Sequence, residues 1–395
     1  MTNKPQFVRE KQPLENRVDY VRGVTYKAAV DLHEELDDSS YVLLRANNIQ
    51  DGELRFDDVQ YVDRAKVKQR QLLRRGDILF CASSGSKGLV GKAALVRENM
   101  PVTFGAFCCV LRPKENEAEY LAHYFQSQQY RRAIEKICSG SNINNLKAAN
   151  FFSLVVPHYD DGSTRVISAL FDSIDAQIKH AKNQIANLDS LVKSRFVEMF
   201  LSSSWPVATI GECATDIHYG TSEKASTEGE HVYLRMNNIG DDGSLDLSDT
   251  KRITLEGKAL SNCLVRKGDL LFNRTNSREK VGKTCVFCLE EPMVVAGYII
   301  RVRLDDRVDS TYLAAYMNLS STKALLRGMA KGAVHQANIN AKQLASIEFP
   351  LADIGAQKEF VAFVRQVDKS RFVAQQQIEK LQMLYDSLAQ EYFGD

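Results

Sequence analysis

Two stretches of this sequence carry side chains suited to chemistry outside the chain. One is "CASSGSKGLVGK" (Cys81–Lys92); the other is "NRTNSREKVGK" (Asn273–Lys283). Both are rich in Ser, Thr, Asn, Arg and Lys. Arg can bridge the acceptor edge of guanine and Asn the edge of adenine, while Lys and Arg neutralise phosphates. In the second stretch Arg274, Thr275, Asn276, Arg278, Lys280 and Lys283 are the candidate contacts; in the first, Ser83, Ser84, Lys87 and Lys92. The basic background agrees. Arg64–Arg97 holds nine cations against Asp77, a net +8, and Lys251–Lys283 holds nine against three acids, a net +6. The whole chain is close to neutral at +1. General affinity for polyanions is not expected of such a chain, but two local basic faces are. Ordinary solvated hairpins with charged faces are the competing reading of both stretches.

The flanks of these loops match each other while the loops differ. "RRGDILF" (Arg74–Phe80) answers to "RKGDLLF" (Arg266–Phe272), and "VGKAALV" (Val90–Val96) to "VGKTCVF" (Val281–Phe287). Upstream, "LRANNI" (Leu44–Ile49) returns as "LRMNNI" (Leu234–Ile239), changing only Ala46 to Met236. Downstream, "EYLAHYF" (Glu119–Phe125) matches "TYLAAYM" (Thr311–Met317), and "NLKAANFFSLVVP" (Asn145–Pro157) matches "NINAKQLASIEFP" (Asn338–Pro350). The offset stays between 190 and 193 residues, too long for a solenoid repeat and right for a duplicated domain. Arg45, Asn47 and Asn48, repeated as Arg235, Asn237 and Asn238, cannot distinguish two different targets, because both copies keep them. They read as phosphate contacts or as turn-forming scaffold, since Asn side chains bond nearby backbone.

The elements that position these loops follow from hydrophobic spacing. Short apolar runs such as "GDILF", "KAALV" and "CCVLR" are bounded by Gly and charge and predict strands. "AEYLAHYFQSQQYRRAIEKI" has helical spacing. From Ile167 to Met199 apolar residues recur every three or four positions, and the stripe repeats 193 residues later, broken only by Arg371. Phe200 and Phe393 close the two segments. Helices of this length with one apolar stripe call for a partner helix, and the simplest partner is the other copy. The pairing positions are Ile174, Ile178, Ile185, Leu188 and Val192 on the first, with Val367, Ala374, Ile378, Leu381 and Tyr385 on the second. Packing of each helix on its own domain is the alternative. The fold class is therefore α+β: two homologous mixed α/β domains separated by two long helices pairing as an antiparallel coiled coil, with pseudo-two-fold character. The domains run 1–162 and 203–352, and the helices 163–202 and 353–395.

This order of unit, helix, unit, helix resembles the DNA-specificity subunit of Type I restriction–modification systems. The resemblance rests on "WPVATIGECATDIHYGTS" opening the second domain, the GDIL/GDLL strand, the YLxxYx helix, the Asn-Ile pairs before a strand ending in Pro, and "ALFDSIDAQI" opening the first long helix. It covers essentially the whole chain. The first domain departs from the pattern by opening with "EKQPLENRVDYVRG", which leaves its N-terminal edge undefined. The resemblance implies two target-recognition domains, each reading one half of a split site in double-stranded DNA, with the helices as a ruler. It implies two methyltransferase (modification) subunits, which would bind S-adenosylmethionine in place of this chain, and motor-endonuclease (restriction) subunits. No cofactor, metal or catalytic residue is expected here. A helix of about 35 residues spans ~50 Å, which would set the domain centres roughly 14–15 base pairs apart and leave a gap of roughly 5–8 base pairs between the half-sites. The runner-up function is a duplicated protein-interaction scaffold with weak or no DNA reading; a specificity module detached from a fused enzyme is a third.

Several motifs are decoys. "VGKT" (Val281–Thr284) lacks the earlier Gly of a phosphate-binding loop, since position 277 is Ser, and its copy is "VGKA". "CVFC" (Cys285–Cys288) has metal-like spacing but stands alone in an apolar run. No HExxH and no "NPPY"-type tetrapeptide occurs. Eight cysteines, mostly in apolar stretches, predict reduced thiols. No membrane-length apolar run and no secretory leader is visible, so a cytoplasmic, membrane-free protein is expected.

Overall fold

The structure, a computed structural model, describes residues 9–114, 116–139, 145–333 and 336–394. Two compact units divide the chain. Unit 1 comprises 1–180 with 377–395, and unit 2 comprises 181–376.

In unit 1, strands Val18–Arg22, Cys108–Pro113, Ile78–Cys81 and Ala93–Leu95 form an antiparallel sheet in that spatial order. A second sheet is ordered Val102–Phe104, Ser40–Leu44, Gln60–Asp63 and Leu32–His33, and its first two strands run parallel. Unit 2 repeats the first sheet with Ala214–Tyr219, Ile299–Leu304, Leu270–Asn273 and Thr284–Val286. It also repeats the parallel pair, as His231–Leu234 beside Met293–Val295. The second sheets differ at an edge. Unit 1 adds Leu32–His33 beside Gln60–Asp63, and unit 2 adds Leu264–Val265 beside Met293–Val295. The central "ILFC" and "LLFN" strands are buried at every position, as befits strands covered on both faces.

The undefined edge of the first domain takes the same form as that of the second. Glu10–Pro13 pairs with Val155–His158 as Val207–Thr209 pairs with Glu348–Pro350. The "AEYLAHYF…" segment is two helices rather than one, Ala118–Gln126 and Gln128–Ser139. Ser127 makes the break: its backbone is extended, and its hydroxyl accepts the N–H of Tyr130 at 3.3 Å. Helical spacing continues through such a break, because both helices bury the same side against one core.

The two long helices run Asp161–Phe196, continued by a wider turn over Val197–Leu201, and Ile354–Phe393. Each starts behind an aspartate that accepts the N–H three residues on. Asp160 takes that of Ser163 at 3.0 Å and Asp353 that of Ala356 at 2.9 Å. Each helix begins in one unit and ends in the other. In unit 1, Phe393 stacks on Phe171 at 5.2 Å and meets Tyr120 edge-on at 5.3 Å. In unit 2, Phe200 meets Tyr312 at 4.8 Å and Phe360 at 5.6 Å. In each unit, then, the start of one long helix lies against the end of the other, an antiparallel pairing. Ile174, Ile178 and Tyr385 are buried in the unit 1 core, with Ile378 and Leu381 packed against it. Val367 and Ala374 are buried, Val192 packs on the unit 2 core, and Ile185 and Leu188 are half-buried. Arg371, the break in the stripe, pairs with Asp189 on the first helix and Asp368 on its own.

Candidate nucleic-acid interface

The geometry of the repeated phrase decides what its polar residues can reach. After Leu44 the chain makes a tight turn over Ala46–Asn48. Asn48 is 1% exposed and fully engaged: Oδ1 accepts the Arg45 N–H at 2.8 Å, and Nδ2 donates to the carbonyls of Arg55 at 2.8 Å and Asp58 at 2.9 Å. Asn238 repeats this with the Arg235 N–H at 2.7 Å and the carbonyls of Asp246 at 2.8 Å and Asp249 at 3.0 Å. Asn48 and Asn238, expected among the DNA-facing residues, are thus internal ties, since burial and saturated hydrogen bonding leave them nothing to offer a ligand. Their neighbours lean on one carboxylate per copy. Arg45 pairs with Asp58 at 2.8 Å and Asn47 donates to it at 2.8 Å; Arg235 pairs with Asp249 at 2.7 Å and Asn237 donates to it at 3.3 Å.

In unit 1 the phrase and the divergent loop meet. Arg45, Ala46, Asn47, Ser83 and Ser84 line one concavity of about 660 Å³, with Tyr26, Gln60 and Phe107 among its other walls. Lys92 is half-buried, and the side chain of Lys87 lies outside the described residues. Sequence reasoning missed Tyr26, Gln60 and Phe107. Phe107 left one signal, an aromatic residue, Tyr298, at the matching place 191 residues on.

Unit 2 uses its loop differently. Arg274 lies over the ring of Tyr219 at 4.7 Å, and its Nη2 donates to Asn338 Oδ1 at 2.9 Å. Thr275 is buried, in a strand paired with Gln336–Asn338, and Asn276 Oδ1 accepts the N–H of Ser277 at 2.8 Å. Lys283 pairs with Asp241 at 2.8 Å and donates to the Ile239 carbonyl, with only 13% of its side chain exposed. Thr275, expected among the DNA contacts, is thus covered within its strand, and Lys283, expected there too, is mostly covered and engaged by Asp241. Arg278 and Lys280 are exposed.

The decoys acquire structural roles. Gly91 and Gly282 of the two "VGK" turns have φ of +83° and +84°. A Cβ on Gly91 would come within 3.1 Å of Ile134, and one on Gly282 within 2.6 Å of Leu326. These glycines let the chain turn against a helix. The Gly282 carbonyl accepts from Lys323 Nζ at 2.6 Å, and burial pushes that amine down to about 8. In "CVFC", Cys285 is buried and pushed up to about 12 by desolvation, whereas Cys288 lies beyond the strand and is exposed. Among the described residues no group of three or more His, Cys, Asp or Glu is arranged to hold a metal, and no helix is long and apolar enough to cross a membrane.

Comparison with known proteins decides the family. The profile of the Type I restriction modification DNA specificity domain matches residues 24–188 and again 207–383, most of the chain and once per repeat. The chain belongs to that family. Among curated proteins it is 27% identical to the Type I restriction enzyme StySPI specificity subunit of Salmonella potsdam, over 96% of this chain and 86% of that one. It is 28% identical to the EcoKI specificity subunit of Escherichia coli K12, over 90% of this chain and 81% of the relative. Among solved structures, the S subunit of a Type I restriction–modification system from M. genitalium superposes with a TM-score of 0.50 at 14% identity, covering 100% of this chain and 98% of that one. A chain from a study of complex assembly and conformational transition of the type I R-M system superposes at 0.53 and 17% identity, over 99% and 100%. These structural likenesses show a shared fold. The fold class inferred from the repeat is the one found, and the chain is a Type I specificity subunit by family.

Proposed function

We propose that each unit reads one half of a bipartite sequence in double-stranded DNA, and that the long helices set the distance between the halves. The observation that carries this reading is the repeated scaffold with unlike tips. The "GDILF" and "GDLLF" strands superimpose in sequence and pairing, yet one leads into "CASSGSKG" and the other into "NRTNSREK". A shared frame with divergent polar loops suits two different half-sites. The side chains best supported as contacts are Ser83 and Ser84 in unit 1, beside Arg45 and Asn47, and Asn276, Arg278 and Lys280 in unit 2. Arg274 acts as a positioning residue, because its guanidinium is held by Tyr219 and Asn338.

In this reading the chain is not a catalyst. Two modification subunits bind S-adenosylmethionine and methylate adenine where this chain directs them, and motor-endonuclease subunits join for cleavage. The complex works on DNA in the cytoplasm. The test is to co-express this chain with its own modification subunit and sequence the host DNA for methylated adenine. One bipartite motif with unlike halves is the expected result. An assembled complex, supplied with S-adenosylmethionine, that adds no methylation would favour the protein-interaction scaffold instead.

A further inference from the structure

Each unit presents one large aromatic ring at the tip of a tight turn. In unit 1 the turn is Gly105–Cys108, closed by the Cys108 N–H on the Gly105 carbonyl at 2.8 Å. In unit 2 it is Ala296–Ile299, closed by the Ile299 N–H on the Ala296 carbonyl at 2.8 Å. Phe107 and Tyr298 occupy the third position of these turns, and they are 69% and 51% exposed.

Single exposed apolar residues are ordinary on protein surfaces. What sets these two apart is how they are held. The Gly105 N–H donates to the Leu44 carbonyl at 2.9 Å, and the Ala296 N–H to that of Leu234 at 2.9 Å, which ties each turn to the strand ending in the repeated phrase. The carbonyl of Phe107 accepts from Ala82 and Ser83 at 2.9 and 3.0 Å, and that of Tyr298 from Arg274 at 2.9 Å. Each aromatic residue thus anchors the first residues of its divergent loop through its backbone and turns its ring outward. Gly23 and Gly220 brace the turns from behind; a Cβ there would fall 2.0 Å from the Gly105 carbonyl oxygen or 2.1 Å from that of Val295. The backbone that carries each ring is therefore fixed before any binding event, which limits the ordering cost to the side chain itself.

The surroundings indicate what the ring meets. In unit 1, Phe107 shares its concavity with Arg45, Asn47, Gln60, Ser83 and Ser84, which are donors and acceptors for base edges and phosphates. An apolar ring among such groups matches a DNA base, whose edge is polar and whose face or 5-methyl group is not. We infer that Phe107 and Tyr298 are specificity-determining residues, each making the apolar contact to a base of the half-site its unit reads. This rests on the reading of each unit as a half-site reader.

The experiment uses the chain assembled with its modification subunit, carrying Phe107→Ala, Phe107→Leu or Tyr298→Ala, with host methylation sequenced for each. With Phe107→Ala, one half of the motif should become degenerate at one or two positions, with about tenfold weaker discrimination there, while the other half is unchanged. Tyr298→Ala should degrade the opposite half, and Phe107→Leu should keep most of the discrimination. Melting temperatures should match the parent, since the rings are exposed. An unchanged motif, or equal loss at both halves, overturns the inference. A parent complex with no bipartite motif overturns the half-site reading itself, and this inference with it. In binding assays on short duplexes, replacing thymine by uracil at the affected position separates a methyl contact, which is lost, from stacking, which is retained.

Discussion

Asp77 holds Arg112 through both carboxylate oxygens, Nε to Oδ1 at 2.6 Å and Nη2 to Oδ2 at 2.8 Å, and Oδ2 also accepts the Arg74 N–H at 2.9 Å. Asp269 repeats this with Arg303 at 2.9 and 3.2 Å and the Arg266 N–H at 2.9 Å. The aspartate of the "GD" motif therefore fixes the turn into the central strand of each unit. Asp77 is 1% exposed and Arg112 is partly open to water. Asp77→Ala should destabilise unit 1 by about 2–3 kcal/mol, below the full cost of an unpaired buried charge because the arginine can rehydrate. Urea unfolding of the variant against the parent checks this.

Asn48→Ala and Asn238→Ala each remove three hydrogen bonds from a buried turn. Each should cost about 2–3 kcal/mol of stability, because backbone groups of Arg45, Arg55 and Asp58, or their counterparts, lose their partner. The salt dependence of DNA affinity should stay unchanged. A drop in that slope without loss of stability would make these residues phosphate contacts after all.

Arg278 and Lys280 should behave in the opposite way. Both are exposed, so Arg278→Gln with Lys280→Gln should leave stability within about 0.5 kcal/mol. As phosphate contacts they should lower the slope of log affinity against log salt by about one each. Binding to a duplex carrying the methylated motif, titrated from low to moderate salt, gives that slope.

Lys323 carries a pH signature. Burial is the main cause of its depressed pKa, about 8 against an ordinary 10.5, with Lys193, Lys283 and Arg327 adding to it and Asp241 opposing. Between those values the unfolded chain binds more protons than the folded one, so stability rises with pH from about 8 to 10.5. The rise should reach roughly 3 kcal/mol and vanish in Lys323→Met. Chemical unfolding at pH 7.5, 9 and 10.5 reads it, and a fall with pH would reverse the assignment.

Spacing tests the ruler. Seven residues inserted into each long helix, in register with the apolar stripe, lengthen each by about 10 Å, close to three base pairs of DNA. The methylated motif should keep both halves and gain about three base pairs between them. An unchanged gap would refute the proposed role of the helices.

Much of this protein was legible in its residues. The duplication, the strand–loop–strand frames and the two long helices follow from local periodicity and from a repeat whose offset drifts only from 190 to 193 residues, and neither needs knowledge of distant contacts. How the polar residues are held was decided only by the tertiary structure. Asn48 looks the same in sequence whether it ties a turn or faces a ligand; burial beneath the carbonyls of Arg55 and Asp58 decides. Arg274 reads in sequence as a base or phosphate contact; the fold brings Tyr219, 55 residues earlier, and Asn338, 64 later, onto its guanidinium. Arg371 looked like a flaw in a stripe until Asp189 came opposite it. A hydrophobic pattern is written along the chain because every turn of a helix repeats the same requirement. The partner of a charge or an amide is chosen once, by whichever residue the fold brings within about 3 Å.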